Sequence, residues 1–345
     1  MFKYKGLSQG KRLSLFFLIS GITIGIVLIA SAEAQTWEAL RLIDLKDVVF
    51  LFILLGLMLL FDALCIMVLA VSLGHRLALI HAFRMILVGR FFGALTPLQS
   101  GMMPAEMYML FKQGIPLGRA ISIDVIRRIS TMGVLAIGGI TVLVINKDFA
   151  TNKIILYAYY YVVFFYVSLT LLFLFVYLFP GKTLWVVDRI MAYLHRRSIV
   201  KNYEVDEYVH RVANDYFQAL NIYLTKGLWG FLLSLAFVML TMLAQFVMAP
   251  VIIHSMGFKT SFMEAFQAQI ILIPMLYFAP TPGGSGVAEG GFALLFAGFI
   301  PKHLLGMTVV LWRVFTTYIC VALGGILTIG SLSLDKILSF GSRKQ

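Results

Sequence analysis

The chain has 345 residues, 61% of them hydrophobic and only 13% charged. That charge is too sparse to clothe a water-soluble body of this size, which excludes an ordinary soluble enzyme and leaves a polytopic membrane protein. A net charge of +12 would also suit a nucleic-acid binder, but no compact basic module with interleaved aromatic residues occurs, so no nucleic-acid partner is expected.

Taken in order, the first apolar run extends over about 13–32, after Lys11 and Arg12. Ala32-Glu33-Ala34 mimics a signal-peptidase site, but the run is long for a signal core and further spans follow, so it reads as the first span. The second span, about 48–72, carries Asp62 near its middle. An ionisable group in apolar sequence is costly and usually functional, which makes Asp62 a candidate proton or ion site, with a helix-end cap as the plainer alternative. The next region, 77–112, is apolar but interrupted by the phrase ALTPLQSG at 94–101. Spans follow at about 131–146 and 154–179.

The largest polar piece is 180–226, where Val205, Tyr208, Val209, Val212 and Tyr216 recur at helical spacing between charges. This predicts an amphipathic helix lying on the membrane or packed beneath the bundle, in a connector too short for a separate enzyme domain. A span at about 227–253 leads into a second interrupted region, 263–300, which contains APTPGGSG at 279–286, and a last span covers about 304–332. Cys65 and Cys320 both fall in apolar runs and read as free buried thiols.

The two interrupting phrases share five of eight letters at an offset of 185. The same offset aligns Pro116 with Pro301, Arg128 with Arg313, Thr131 with Thr316 and Gly139 with Gly324. Shared Pro, Gly, Thr and Arg without a gap point to an internal repeat, one copy over about 77–146 and the other over about 263–332. Orientation follows from Lys and Arg. With both termini cytoplasmic, segments 1–12, 73–130, 180–226 and 333–345 hold 21 of the 28 basic residues. The first copy is then entered from the cytoplasm and the second from outside, so the two are inverted, as in many transporters.

Bare backbone is not tolerated in hydrocarbon, so each phrase reads as the tip of a re-entrant helical hairpin sheltered by protein or facing a wet cavity. The returning helices are expected to begin near 102–105 and 286–289, with N-termini suited to a phosphate or carboxylate. Candidate substrate-binding residues are Ser100, Gly101, Ser285, Gly283, Gly284 and Gly286 at the tips, Glu106 and Glu289 just after them, and Arg128 and Arg313 on the following spans. Each Glu either meets a ligand or pairs with an Arg to hold its hairpin; Arg84 and Arg90 are expected to snorkel to the cytoplasmic interface. No catalytic, metal or cofactor motif occurs.

At these residues the chain resembles the lysylphosphatidylglycerol synthase transmembrane-region family of flippase-like membrane proteins. The resemblance rests on an early Pro97…Gly101…Pro104…Glu106 segment followed by Arg127 and Arg128, and on a late segment of Pro280, Pro282, Gly283, Gly284, Gly286 and Glu289. Leu98-Gln99 departs from the family pattern. The resemblance implies movement of a polar lipid across the bilayer, without the soluble domain that makes the lipid in fused members. The expectation is thus an all-α polytopic protein with about six full spans and two broken hairpins, set in a cytoplasmic (inner) membrane. It is not an enzyme, needs no cofactor, and moves an anionic or zwitterionic lipid headgroup; an envelope-lipid biosynthetic enzyme is a candidate partner. The alternatives are an integral-membrane enzyme acting on a lipid-linked phosphate and a scaffold for an envelope glycosyltransferase.

Overall fold

The structure, a computed structural model, describes residues 41–145, 153–197 and 204–328, with Leu18, Ile22, Glu38 and Ala39. The expected span at 13–32, apart from Leu18 and Ile22, and the end of the last one beyond 328 lie outside the described residues. Every regular element among the described residues is helical. They are α1 (Leu45–Ser72), α2 (Leu79–Ala94), α3 (Met102–Lys112), α4 (Leu117–Ile145), α5 (Lys153–Leu178), α6 (Pro180–Arg196), α7 (Glu204–Leu224), α8 (Leu228–Ser255), α9 (Phe262–Tyr277), α10 (Val287–Phe296) and α11 (Lys302–Thr328). Five of them, α1, α4, most of α5, α8 and α11, are long and apolar enough to cross a bilayer. The chain is an all-α polytopic membrane protein.

Four of these helices start within a few residues of the expected spans, but α4 begins at Leu117 rather than near 131. Its first half carries Asp124, Arg127 and Arg128, which lowers the local hydropathy, yet Asp124 and Arg127 are buried in the bundle. Paired charges can be housed inside protein at membrane depth, and a hydropathy reading misses such a stretch.

The largest interhelical contact joins α1 to α8. Around it lie two successions of the same kind. A 16-residue helix (α2, α9) leads to a single 3₁₀ turn at Pro97–Gln99 or Pro282–Gly284. A short helix of 11 or 10 residues follows (α3, α10), then a long one of 29 or 27 (α4, α11). The turns touch each other, and Leu98 N–H donates to the Ala279 carbonyl at 3.0 Å. At the 185-residue offset, Leu98 and Gln99 have φ of 55° and 50°, where Gly283 and Gly284 have 59° and 68°. One left-handed turn is therefore built twice, once from glycines and once from residues that resist it.

The helix α5 packs loosely at the edge, touching α4 and α9 and exposing Phe164, Leu171 and Leu172. The connector is a pair of helices. His195 and His210 of α6 and α7 meet Asp206 and Asp188 at 3.0 and 2.7 Å. Helix α7 lies against α4 so closely that a Cβ on Gly118 would collide with the Val212 carbonyl oxygen. Tyr223 reaches across to donate to the Leu69 carbonyl at 3.0 Å. Of the stripe read from sequence, Val209, Val212 and Tyr216 are half-buried while Val205 and Tyr208 remain exposed; the buried residues of α7, Ala219, Leu220 and Tyr223, lie beyond it.

Candidate functional site

Three carboxylates and three guanidiniums meet where α1, α2, α3 and α4 converge. Arg127 is the centre. Its Nη1 donates to Asp62 Oδ1 at 2.7 Å, and its Nη2 donates to Glu106 Oε2 and to Asp124 Oδ1 at 3.0 Å. Arg128 lies beside it, with Nε to Asp124 Oδ2 and Nη2 to Glu106 Oε2, both at 2.7 Å, and Nη1 to the Met102 sulfur at 3.5 Å. Arg90 approaches Asp62 Oδ2 at 3.7 Å. Charges buried this deeply persist only when paired and hydrogen-bonded, and truncating one partner strands the other. Glu106 fits because α2 has a glycine beneath it: a Cβ on Gly89 would lie 2.6 Å from Glu106 Cγ.

The second succession holds a smaller pair. Arg313 Nε lies 2.9 Å from Glu289 Oε1, close enough for an ion pair although the N–H is not aligned as a hydrogen bond. Glu289 Oε2 accepts from Gly286 N–H at 2.6 Å, which caps the start of α10. Arg313 also donates to Thr317 Oγ1 at 3.3 Å and stands over the Tyr318 ring at 5.4 Å from its centroid. It opens a π-helical stretch, Val314–Tyr318, in a helix otherwise α-helical. Trp312 fixes this region by donating to Gln269 Oε1 at 3.2 Å, while Gln269 Nε2 donates to the Phe246 carbonyl at 2.7 Å.

Both groups border one cavity of about 320 Å³. Its wall includes Asp62, Arg90, Glu106, Arg127 and Arg128 from the first group, and Arg313 from the second. Leu98 and Gln99 of one turn and Gly283 of the other also reach it, as do Thr241 and Gln245 of α8. The polar centre therefore sits where the two broken turns meet.

Of the residues expected to bind a ligand, Arg128, Arg313, Glu106, Gly283 and Asp62 line this cavity. Glu289, Gly101, Gly284, Gly286, Ser100 and Ser285 do not. The donors expected at the tips are engaged locally. Gly101 N–H donates to Thr96 Oγ1 at 2.8 Å, Gly284 N–H to the Thr281 carbonyl at 3.1 Å, and Gly286 N–H to Glu289. Ser285 turns its hydroxyl onto the Pro282 carbonyl at 2.9 Å, and Ser100 is exposed. Three members of the site were not singled out from sequence for these roles: Asp124, Arg127 and Arg90. Asp124 stands three and four residues before the arginine pair, a helical spacing that predicts contact. Arg90 points into the cavity instead of snorkelling outward, whereas Arg84 is exposed.

At the base of the bundle His75, in the link between α1 and α2, accepts from Arg119 Nη1 at 3.0 Å. Burial, and then the neighbouring guanidinium, hold its imidazole below the usual value, which favours the neutral ring that can accept.

A bundle of this kind, with long apolar helices around a buried ionic network and a shared cavity, defines a multi-pass membrane protein whose polar site is internal. The family model described as the lysylphosphatidylglycerol synthase TM region matches residues 17–324, and the chain belongs to that family. It is also 24% identical over 326 residues to a UPF0104 membrane protein of Archaeoglobus fulgidus, an alignment covering 93% of this chain and 98% of the relative.

Proposed function

We propose that the protein is a lipid flippase that moves an anionic or zwitterionic headgroup across the cytoplasmic membrane through this cavity. The observation that carries the reading is the joint position of the ionic cluster and the two turns: one cavity receives arginines from both successions and touches both breaks. The family's description links it to a lipid-related membrane region, which supports a lipid as cargo. In this reading the successions α2–α4 and α9–α11 are inverted halves, both turns are tips of re-entrant hairpins, and both termini are cytoplasmic. Rocking of one half against the other exposes the cavity alternately to the two sides. Acyl chains stay in the bilayer beside α5. The carboxylates of the cluster face arginines, an arrangement suited to ion-pair exchange with a ligand more than to chemistry on it. An envelope-lipid biosynthetic enzyme is the proposed partner.

The test is translocation in liposomes carrying headgroup-labelled phospholipids, with wild type compared with Arg128→Gln. Losing one charge-assisted contact to the headgroup is expected to slow transfer roughly tenfold or more. Equal transfer by the two proteins, or none by wild type with any anionic or zwitterionic lipid, would overturn the reading.

A further inference from the structure

The four arginines at the cavity are not equivalent. Arg313 has 2% of its side chain exposed and pairs with Glu289, and Arg127 has 9% and is held by three carboxylates. Arg128 has 26% and Arg90 22%, and both line the cavity. Arg128 is held by two carboxylates at 2.7 Å, whereas Arg90 approaches Asp62 only to 3.7 Å. An incoming anion therefore meets Arg90 and Arg128 first, and Arg90 gives up the least to bind it.

Counted in formal charges the first cluster balances, with Asp62, Glu106 and Asp124 against Arg90, Arg127 and Arg128. An anion bound there leaves one uncompensated negative charge in a low-dielectric interior, which is costly unless a proton or cation accompanies it. The carboxylate best placed to take a proton is Asp62. At the cavity wall it is 13% exposed, whereas Glu106, which reaches the same wall, and Asp124 are each 1% exposed. It is also the one that loses Arg90. The groups facing it are Arg90 from α2, Arg127 from α4, Cys65 on its own helix, Cys320 from α11 and Tyr277 from α9. Helix α8 adds the neutral Thr241 and Gln245 at the cavity wall.

We propose that a phosphodiester headgroup binds between Arg90 and Arg128, and that Asp62, released by Arg90, takes one proton from solution through the cavity as it binds. This rests on the flippase reading and adds to it a coupling ion and a second binding arginine. No covalent bond changes: the phosphate replaces Asp62 Oδ2 on Arg90, and the proton goes to Asp62 while its Oδ1 stays on Arg127 Nη1. Binding of an anion and uptake of a proton then reinforce each other.

The experiment is calorimetric titration of the purified full-length protein with short-chain phosphatidylglycerol between about pH 5.5 and 8.5, across which a linked carboxylate proton is read as a slope in affinity. It is run in buffers of different ionisation enthalpy, which counts the protons taken up. The phosphodiester stays monoanionic throughout, so any linked proton resides on the protein. With one proton linked, wild-type affinity is expected to fall up to about tenfold per pH unit on the alkaline side. Asp62→Asn mimics the protonated acid, and its affinity is expected to be flat with pH with no proton uptake. Arg90→Gln is expected to bind at least roughly tenfold more weakly, with Arg90→Lys restoring part of the loss. Thermal unfolding of each variant confirms that it is folded. Wild-type binding without proton uptake, uptake that persists in Asp62→Asn, or undiminished binding by folded Arg90→Gln would each overturn the proposal. Because liposome transfer is measured separately, transfer without linked protons would leave the flippase reading standing.

Discussion

Leu98 and Gln99 stand in left-handed backbone at the cavity, where the second turn has Gly283 and Gly284. A side chain in that conformation costs on the order of 1–2 kcal/mol. The strain is carried in one turn and avoided in the other, although the backbone path is the same. Gly284 isolates the effect, because a Cβ there would come no closer than 3.4 Å to any neighbour. Gly284→Ala is therefore expected to lower unfolding stability by about 1 kcal/mol from backbone strain alone. Equilibrium unfolding in detergent checks this. The Pro/Gly phrases marked both turns in the sequence, since proline and glycine act through local backbone physics. The ion network was less legible. Residue type leaves Glu106 either on a ligand or on an arginine, and the hub role of Arg127 depends on where α1 crosses α4, which nothing local encodes.

At the scale of elements, glycines decide how closely helices approach. A Cβ on Gly324 would collide with the Leu87 carbonyl oxygen, so α11 crosses α2 backbone to backbone. Its offset partner, Gly139, instead accommodates Tyr159, whose hydroxyl donates to the Ala136 carbonyl at 2.8 Å. Gly324→Ala is expected to destabilise by about 1–3 kcal/mol or more, since rigid backbone must move. Gly56→Ala, with nothing within 4 Å of the added carbon, is expected to be neutral or mildly stabilising. Thermal shift of the two variants measures the contrast. Long apolar helices were legible from hydropathy because the bilayer demands length and apolarity together. The start of α4 and the loose packing of α5 were not, because each depends on which neighbours cover a helix.

For the whole molecule, two broken turns and an ionic cluster border one cavity, the proposed path of a lipid headgroup. Composition settled the class, since so little charge cannot cover a soluble body of this size. The two joined turns and the balanced charges emerge only when the successions are packed together. Gln245 faces the cavity from α8, outside both successions and outside the ionic cluster. Cys65 and Cys320 are buried and free, so a single introduced cysteine can be addressed in a background lacking them. The most direct measurement is headgroup transfer in liposomes by Gln245→Cys in that background, before and after a bulky, disulfide-forming thiol reagent, and again after reduction. Transfer that stops on labelling and returns on reduction is the result predicted; transfer that continues at its original rate with the introduced thiol fully labelled would contradict passage through this cavity.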